Sequence, residues 1–192
     1  MDKRVQSKKN RFLKITPENE NYNQYWFSES TIDFFINQVL KHGGNRIGFI
    51  ATPSVFFSLD NEYKEKSYMF DIDEKLTKRH KNAITYDFND NKYEAKFPNL
   101  KHTFDYLIID PPFITEEAWS KFAEFAKYLS NENGCKIIAC SISENKEKLE
   151  KLLNLKIKKY QPSIPHLVYQ YNIYANYDDE DLDKHNPEID SN

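Results

Sequence analysis

The chain has 192 residues, of which 30% are charged and 15% aromatic, and its 27 basic and 30 acidic side chains leave a net charge of −3. The aromatic content excludes a disordered chain, and the length suits one domain with short tails. No apolar run approaches the roughly 20 residues of a membrane span, and no bulk positive charge draws the chain to nucleic acid. The start, Met1-Asp2-Lys3-Arg4, leads into polar residues, so no secretory signal is visible. Cys135 and Cys140 are the two cysteines. Their spacing fits neither a zinc pair nor a redox pair, so we expect reduced core thiols, no metal, and a cytosolic or nuclear protein, with the cytoplasm favoured. Charge is uneven along the chain. Lys3, Arg4, Lys8, Lys9, Arg11 and Lys14 make a basic start, and Asp178, Asp179, Glu180, Asp181 and Asp183 an acidic end. We expect a flexible basic arm over 1–19, one folded domain over 20–178 and a disordered acidic tail over 179–192.

Gln24-Tyr25-Trp26-Phe27-Ser28 places three adjacent aromatics in a predicted loop. It reads equally as a lid over a bound cofactor or as a hydrophobic staple onto the following helix. Ser28 to Thr31 offers N-caps, Ile32, Phe35, Ile36, Val39 and Leu40 repeat at helical spacing, and Gly43-Gly44 ends the helix. Strands are predicted at Arg46–Ala51, Ser67–Phe70, Ala83–Tyr86, Phe104–Ile109 and Cys135–Cys140. Helices are predicted after Pro53, over Thr115–Leu129 and over Asn145–Leu155. Leu155–Tyr160 and Tyr169–Tyr174 alternate as two last strands, joined through a proline-rich loop that carries His166. Strands alternating with helices imply an α/β fold with a mostly parallel sheet and helices on both faces. The last connection lacks a helix, so the last strand should be antiparallel, giving the seven-stranded outline of a Rossmann-like class I methyltransferase.

Asp110-Pro111-Pro112-Phe113 follows the apolar run Tyr106-Leu107-Ile108-Ile109. Prolines cannot extend a ladder, so the chain turns there, at the carboxyl edge where open α/β sheets bind ligands. A carboxylate, proline carbonyls and an aromatic face in one small volume suit an amine. The tetrapeptide resembles the D/N-P-P-F/Y motif of amine-directed, S-adenosylmethionine-dependent methyltransferases. The first strand ends at Ala51-Thr52-Pro53-Ser54, without the glycine loop that a pyrophosphate needs. S-adenosylmethionine has no phosphate, and small residues there can receive its amino acid end. Asp71 and Asp73 end the second strand, where a carboxylate can take both ribose hydroxyls; Asp73, nearer the exit, is favoured, with a helix N-cap as its plainer role. Asp87-Phe88-Asn89 ends the third strand and can meet an adenine amine and its face, or form an Asx turn beside a core ring.

Taken in order, Gln24 to Ser28, Ala51 to Val55, Asp71 to Lys75, Tyr86 to Asn89, Asp110 to Phe113 and Tyr174 to Asp178 resemble the elongation factor 1-alpha lysine methyltransferase 1 family, first labelled a probable adenine-specific DNA methyltransferase. Thr52, Asp71 and Phe113 depart mildly from its pattern. The resemblance implies methyl transfer from S-adenosylmethionine to a lysine of elongation factor 1-alpha, by a monomer that needs no membrane. On that reading Asp110, Pro111, Pro112 and Phe113 handle the acceptor amine. Trp26, Phe27, Ser28, Ala51, Thr52, Pro53, Ser54, Asp71, Asp73, Asp87, Phe88 and Asp110 hold the cofactor. Two alternatives stay open. One is an adenine methyltransferase with a nucleic acid partner, in which Phe113 stacks on a flipped base. The other is an inactive partner subunit that keeps only the fold.

Overall fold

The computed structural model describes residues 10–190. In chain order it forms α1 (Arg11–Ile15), α2 (Glu29–His42), β1 (Ile47–Ile50), α3 (Pro53–Ser58), α4 (Asn61–Glu65), β2 (Ser67–Asp71), α5 (Glu74–Thr77) and β3 (Ala83–Thr85). Then come α6 (Tyr93–Lys96), β4 (Tyr106–Ile109), α7 (Glu116–Leu129), β5 (Lys136–Ser141), α8 (Lys146–Leu153), β6 (Lys156–Ile157) and β7 (Asn172–Ala175).

The strands order as β3-β2-β1-β4-β5-β7-β6. The first five pair in parallel, and β7 runs antiparallel to both β5 and β6. Central strands buried on both faces must be apolar throughout, as β1 and β4 are. Alternation sends Tyr106 and Ile108 into the core under α2 and α3, and Leu107 and Ile109 into the core under α7 and α8. Gly48 leaves room for the Leu107 side chain of β4: a Cβ there would lie 2.5 Å from Leu107 Cδ2. The order reverses between β1 and β4, and such a switch point opens a crevice at the strands' carboxyl ends.

The helices start where their caps dictate. Ser28 Oγ accepts the Thr31 N–H at 3.2 Å to open α2. Thr115 Oγ1 accepts the Ala118 N–H at 3.2 Å to open α7, and Glu116 and Glu117 follow in the first turn. No helix among the described residues is long and apolar enough to cross a membrane.

Two expectations are corrected. Lys3, Arg4, Lys8 and Lys9 of the basic arm lie outside the described residues, but 10–19 is no loose arm. Asn10 caps α1 and donates to Ser58 Oγ at 2.8 Å. Phe12 is buried, edge-on to Trp26 and stacked on Phe57 with ring centroids 5.7 Å apart. The acidic end also packs down as far as it is described. Asp179 accepts from Gln38 at 3.1 Å, Lys41 at 3.2 Å and His42 at 3.0 Å, all on the last turns of α2. Burial pushes the Asp179 carboxyl up, but the bonds from the Asp181 N–H, Gln38, His42 and Lys41 outweigh it and hold it well below its ordinary value. Leu182 is buried beyond it. The acids meet the Lys41 ammonium and the His42 ring on the last turn of α2, and these side-chain bonds hold them against the negative carbonyl end of the helix.

The last strands are shorter than their pattern. β6 stops at Ile157, and Tyr160 leaves the sheet to stack on Phe34, centroids 3.8 Å apart. β7 begins at Asn172, so Tyr169 to Tyr171 remain in the loop.

Candidate active site

A cavity of about 270 Å³ opens at the switch point, over the carboxyl ends of β1, β2, β3 and β4. β1 ends on Ala51, whose φ of 55° lies in the left-handed region. For an alanine this costs about 1–2 kcal/mol. The Ala51 N–H is held by the Phe70 carbonyl at 2.8 Å, which fixes the turn. Thr52 is buried and its Oγ1 has no hydrogen-bond partner among the described residues.

β4 ends on Asp110, whose N–H donates to the Ile50 carbonyl at 3.1 Å. Its Oδ1 is buried and also without a partner among the described residues, and burial raises the carboxyl well above its ordinary range. Two buried oxygens without a described partner thus lie at the ends of adjacent strands, and of the two residues Asp110 lines the cavity. Pro111 is buried behind Asp110. The Pro112 carbonyl accepts a hydrogen bond from Asn23 Nδ2, and Asn23 itself has a left-handed φ of 52°. Phe113 is exposed at the rim, its centroid 6.0 Å from Phe88, which in turn stacks on Phe122.

β2 ends on Asp71, which is buried and lines the cavity. Burial pushes its carboxyl up from 3.8 to about 7, against the opposing hydrogen bond from the Asp73 N–H at 2.9 Å. Asp73 does not line the cavity. It caps α5 through the Lys75 N–H at 2.9 Å and meets Gln24 Nε2 at 3.4 Å. Of the two acids it is therefore Asp71, not the favoured Asp73, that lines the cavity. β2 ends at Asp71, so strand alternation does not carry Asp73 to the same side. After β3, Asp87 is exposed and accepts the Asn89 N–H at 2.8 Å, so the Asx turn is real, and Asp87 and Phe88 both line the cavity.

Of the other expected contacts, Trp26, Ala51, Pro53, Pro111, Pro112 and Phe113 line the cavity. Phe27, Ser28, Thr52 and Ser54 do not. Phe27 packs on Phe35 in the core, and Ser28 is spent on capping α2. Ser54 is buried inside α3, where its carbonyl accepts from Ser58 Oγ at 2.6 Å. The aromatic segment thus splits between lid and staple. Tyr25 and Trp26 face the cavity, and Trp26 Nε1 is anchored on the Thr16 carbonyl at 3.0 Å.

Sequence reasoning missed Asn23, Leu167 and Tyr171, which also line the cavity. The signal for Tyr171 was present: an antiparallel β7 must begin at the edge where its parallel neighbours end. Burial raises its phenol, with the Asp110 charge adding to the effect. The lining thus holds three carboxyl groups, Asp71, Asp87 and Asp110, and among the described residues no lysine, arginine or histidine.

The family model described as probable N6-adenine methyltransferase matches residues 18–179. The chain is 30% identical over 169 residues to EEF1A lysine methyltransferase 1 of Homo sapiens, covering 85% of this chain and 77% of that protein. It is 29% identical to EEF1A lysine methyltransferase 1 of Danio rerio, covering 81% of this chain and 96% of that one. It is 26% identical to a protein-lysine N-methyltransferase of Saccharomyces cerevisiae, covering 89% and 77%. In fold it is similar to the magnesium protoporphyrin IX methyltransferase of Synechocystis PCC 6803, with TM-score 0.50, 16% identity and coverage of 76% and 77%. A methyltransferase from Archaeoglobus fulgidus gives TM-score 0.50 at 15% identity, covering 73% and 75%. The expected Rossmann-like methyltransferase fold is therefore found. The chain belongs to the probable N6-adenine methyltransferase family, together with the EEF1A lysine methyltransferase 1 proteins.

Proposed function

We propose that this protein is an S-adenosylmethionine-dependent protein-lysine N-methyltransferase whose substrate is translation elongation factor 1-alpha. The observation that carries the acceptor is the chemistry of the cavity: three carboxyl groups and no cationic side chain among its described lining residues. Carboxyl oxygens accept the hydrogens of a lysine amine, and two of the three, raised by burial, do so without holding it as an ammonium. A polynucleotide brings phosphates, for which the described lining residues offer no lysine or arginine.

The residues also fit the cofactor. Asp71 at the end of β2 suits a ribose diol, whether ionised or as the neutral acid. Ile72, Asp87 and Phe88 suit an adenine ring and its amine, and the turn at Ala51 and Pro53 leaves room for the amino acid end. When bound, the cofactor supplies a methyl group activated by its sulfonium. The chain does the rest. Asp110 and the Pro111 carbonyl accept the hydrogens of the incoming amine and aim its lone pair. Asn23 occupies the Pro112 carbonyl and so fixes the turn that presents them. The half-buried cleft disfavours a charged ammonium and helps the amine to lose its proton. Phe113 packs along the aliphatic stem. A translation-factor substrate and two free cysteines fit a cytoplasmic enzyme.

One observation favours the adenine reading: Phe113 stands exposed beside Phe88, a surface on which a base can stack. Labelled methyl transfer decides between them. Purified protein with S-adenosylmethionine should label elongation factor 1-alpha at lysine and leave structured RNA and DNA unlabelled. Label on nucleic acid alone overturns the proposal.

A further inference from the structure

Exposed large apolar side chains cluster around the mouth of the cavity. The two most exposed in the described chain are Val168, at 92%, and its neighbour Tyr169, at 63%. They follow Leu167 and precede Tyr171, both of which line the cavity. Phe113, 46% exposed, and Tyr22, 39% exposed, line it as well. Topology explains the placement. β7 is antiparallel, so the loop that leads into it hangs over the same edge as Asp110 to Phe113.

The loop that carries Val168 and Tyr169 is fastened on both sides. His166 Nδ1 meets Glu18 Oε2 at 2.7 Å, and the Ser28 N–H donates to the Ser163 carbonyl at 2.9 Å. Leu167 turns back on the Ile164 carbonyl at 3.0 Å, and Gln170 Nε2 donates to the Pro162 carbonyl at 3.0 Å. The segment is thus held in shape while two large apolar groups stay in water, an arrangement that loses little entropy when something covers them.

Resting on the lysine reading above, we propose that Val168 and Tyr169, with Phe113 and Tyr22 at the cavity itself, form the docking ledge for the substrate polypeptide. The ledge takes an apolar side chain that flanks the acceptor lysine. Two features select this occupant. The ledge is continuous with the cavity through Leu167 and Tyr171, so whatever covers it also reaches Asp110. The cavity it borders offers carboxyl oxygens and no described cation, so it presents hydrogen-bond acceptors to a lysine amine and no partner to a phosphate chain.

The test is steady-state methylation of purified elongation factor 1-alpha by the full chain, comparing wild type, the V168S/Y169S double variant and L40S. Leu40 is an exposed apolar residue on α2 that does not line the cavity, so L40S controls for lost surface hydrophobicity. The double variant should raise KM about tenfold or more, with kcat and S-adenosylmethionine affinity unchanged, and L40S should match wild type. An unchanged KM, an equal effect from L40S, or a change only in oligomeric state by light scattering overturns the ledge and leaves the lysine reading standing. No label on the factor from wild-type protein that binds S-adenosylmethionine overturns the lysine reading, and the ledge with it.

Discussion

Asp110 and Asp71 are both carboxyls raised by burial, yet they predict different experiments. Asp110 Oδ1 has no described partner, so its removal leaves nothing else unsatisfied. D110A should keep its fold and its S-adenosylmethionine affinity while kcat falls about a hundredfold or more. D110N separates positioning from proton transfer, because an amide carbonyl can still accept an amine hydrogen. Turnover partly kept by D110N supports positioning, and turnover as low as in D110A supports a base. Asp71 binds a proton in the folded state that the unfolded chain has already lost between about pH 4 and about pH 7. Stability must therefore fall as pH rises through that window, by about 4 kcal/mol at most. D71N lacks the titration, so in urea unfolding it should gain on wild type between about pH 4 and about pH 7. A difference that stays flat with pH would refute this account. The same acid shows where sequence stops being legible. Asp71 and Asp73 are equivalent under strand periodicity, and only the point at which β2 ends makes one a wall of the cavity and the other a helix cap.

At the level of elements, the parallel strands were legible because a strand buried on both faces has to be a continuous apolar run. α2 and α7 were legible through their caps and apolar spacing. α1 was not, because what holds it is remote in sequence: Phe12 on Trp26 and Phe57, with Arg79 lying 4.4 Å over the Phe57 ring. The packing of the β4 side chains over Gly48 of β1 gives an element-scale prediction. Gly48→Ala puts a methyl group 2.5 Å from Leu107 Cδ2 and 3.1 Å from Phe104 Cδ1. The buried Leu107 and Phe104 side chains must then shift within a packed core, at about 1–3 kcal/mol. A drop in urea midpoint measures this.

For the molecule as a whole, the segment that looked least structured in composition is part of the packing. Tyr177 donates to Gln38 at 2.9 Å, and Asn176 accepts the Ile137 N–H at 2.8 Å. The residues Tyr174 to Asp178 that carry family resemblance thus brace the sheet rather than the cavity. Charge composition made 179–192 look like a solvated tail, because composition records how many acids there are but not the helix end they meet. A chain that stops after Asp178 loses the buried Leu182 and the bonds of Asp179 to α2. It should be less stable by about 3 kcal/mol in urea unfolding, whereas removal of a solvated tail would leave the midpoint unchanged.

The strand order carries one more consequence, for synthesis. β7 comes last in the chain yet sits between β5 and β6. A nascent chain can pair β1 to β5 early, but β6 has no partner until β7 emerges and slides between them. Tyr171 and Leu167 join the cavity wall in that same step. The protein therefore cannot acquire a finished site while its C-terminal residues are still being made, and a chain stalled before β7 would display the bare edge of β5 to any neighbouring strand.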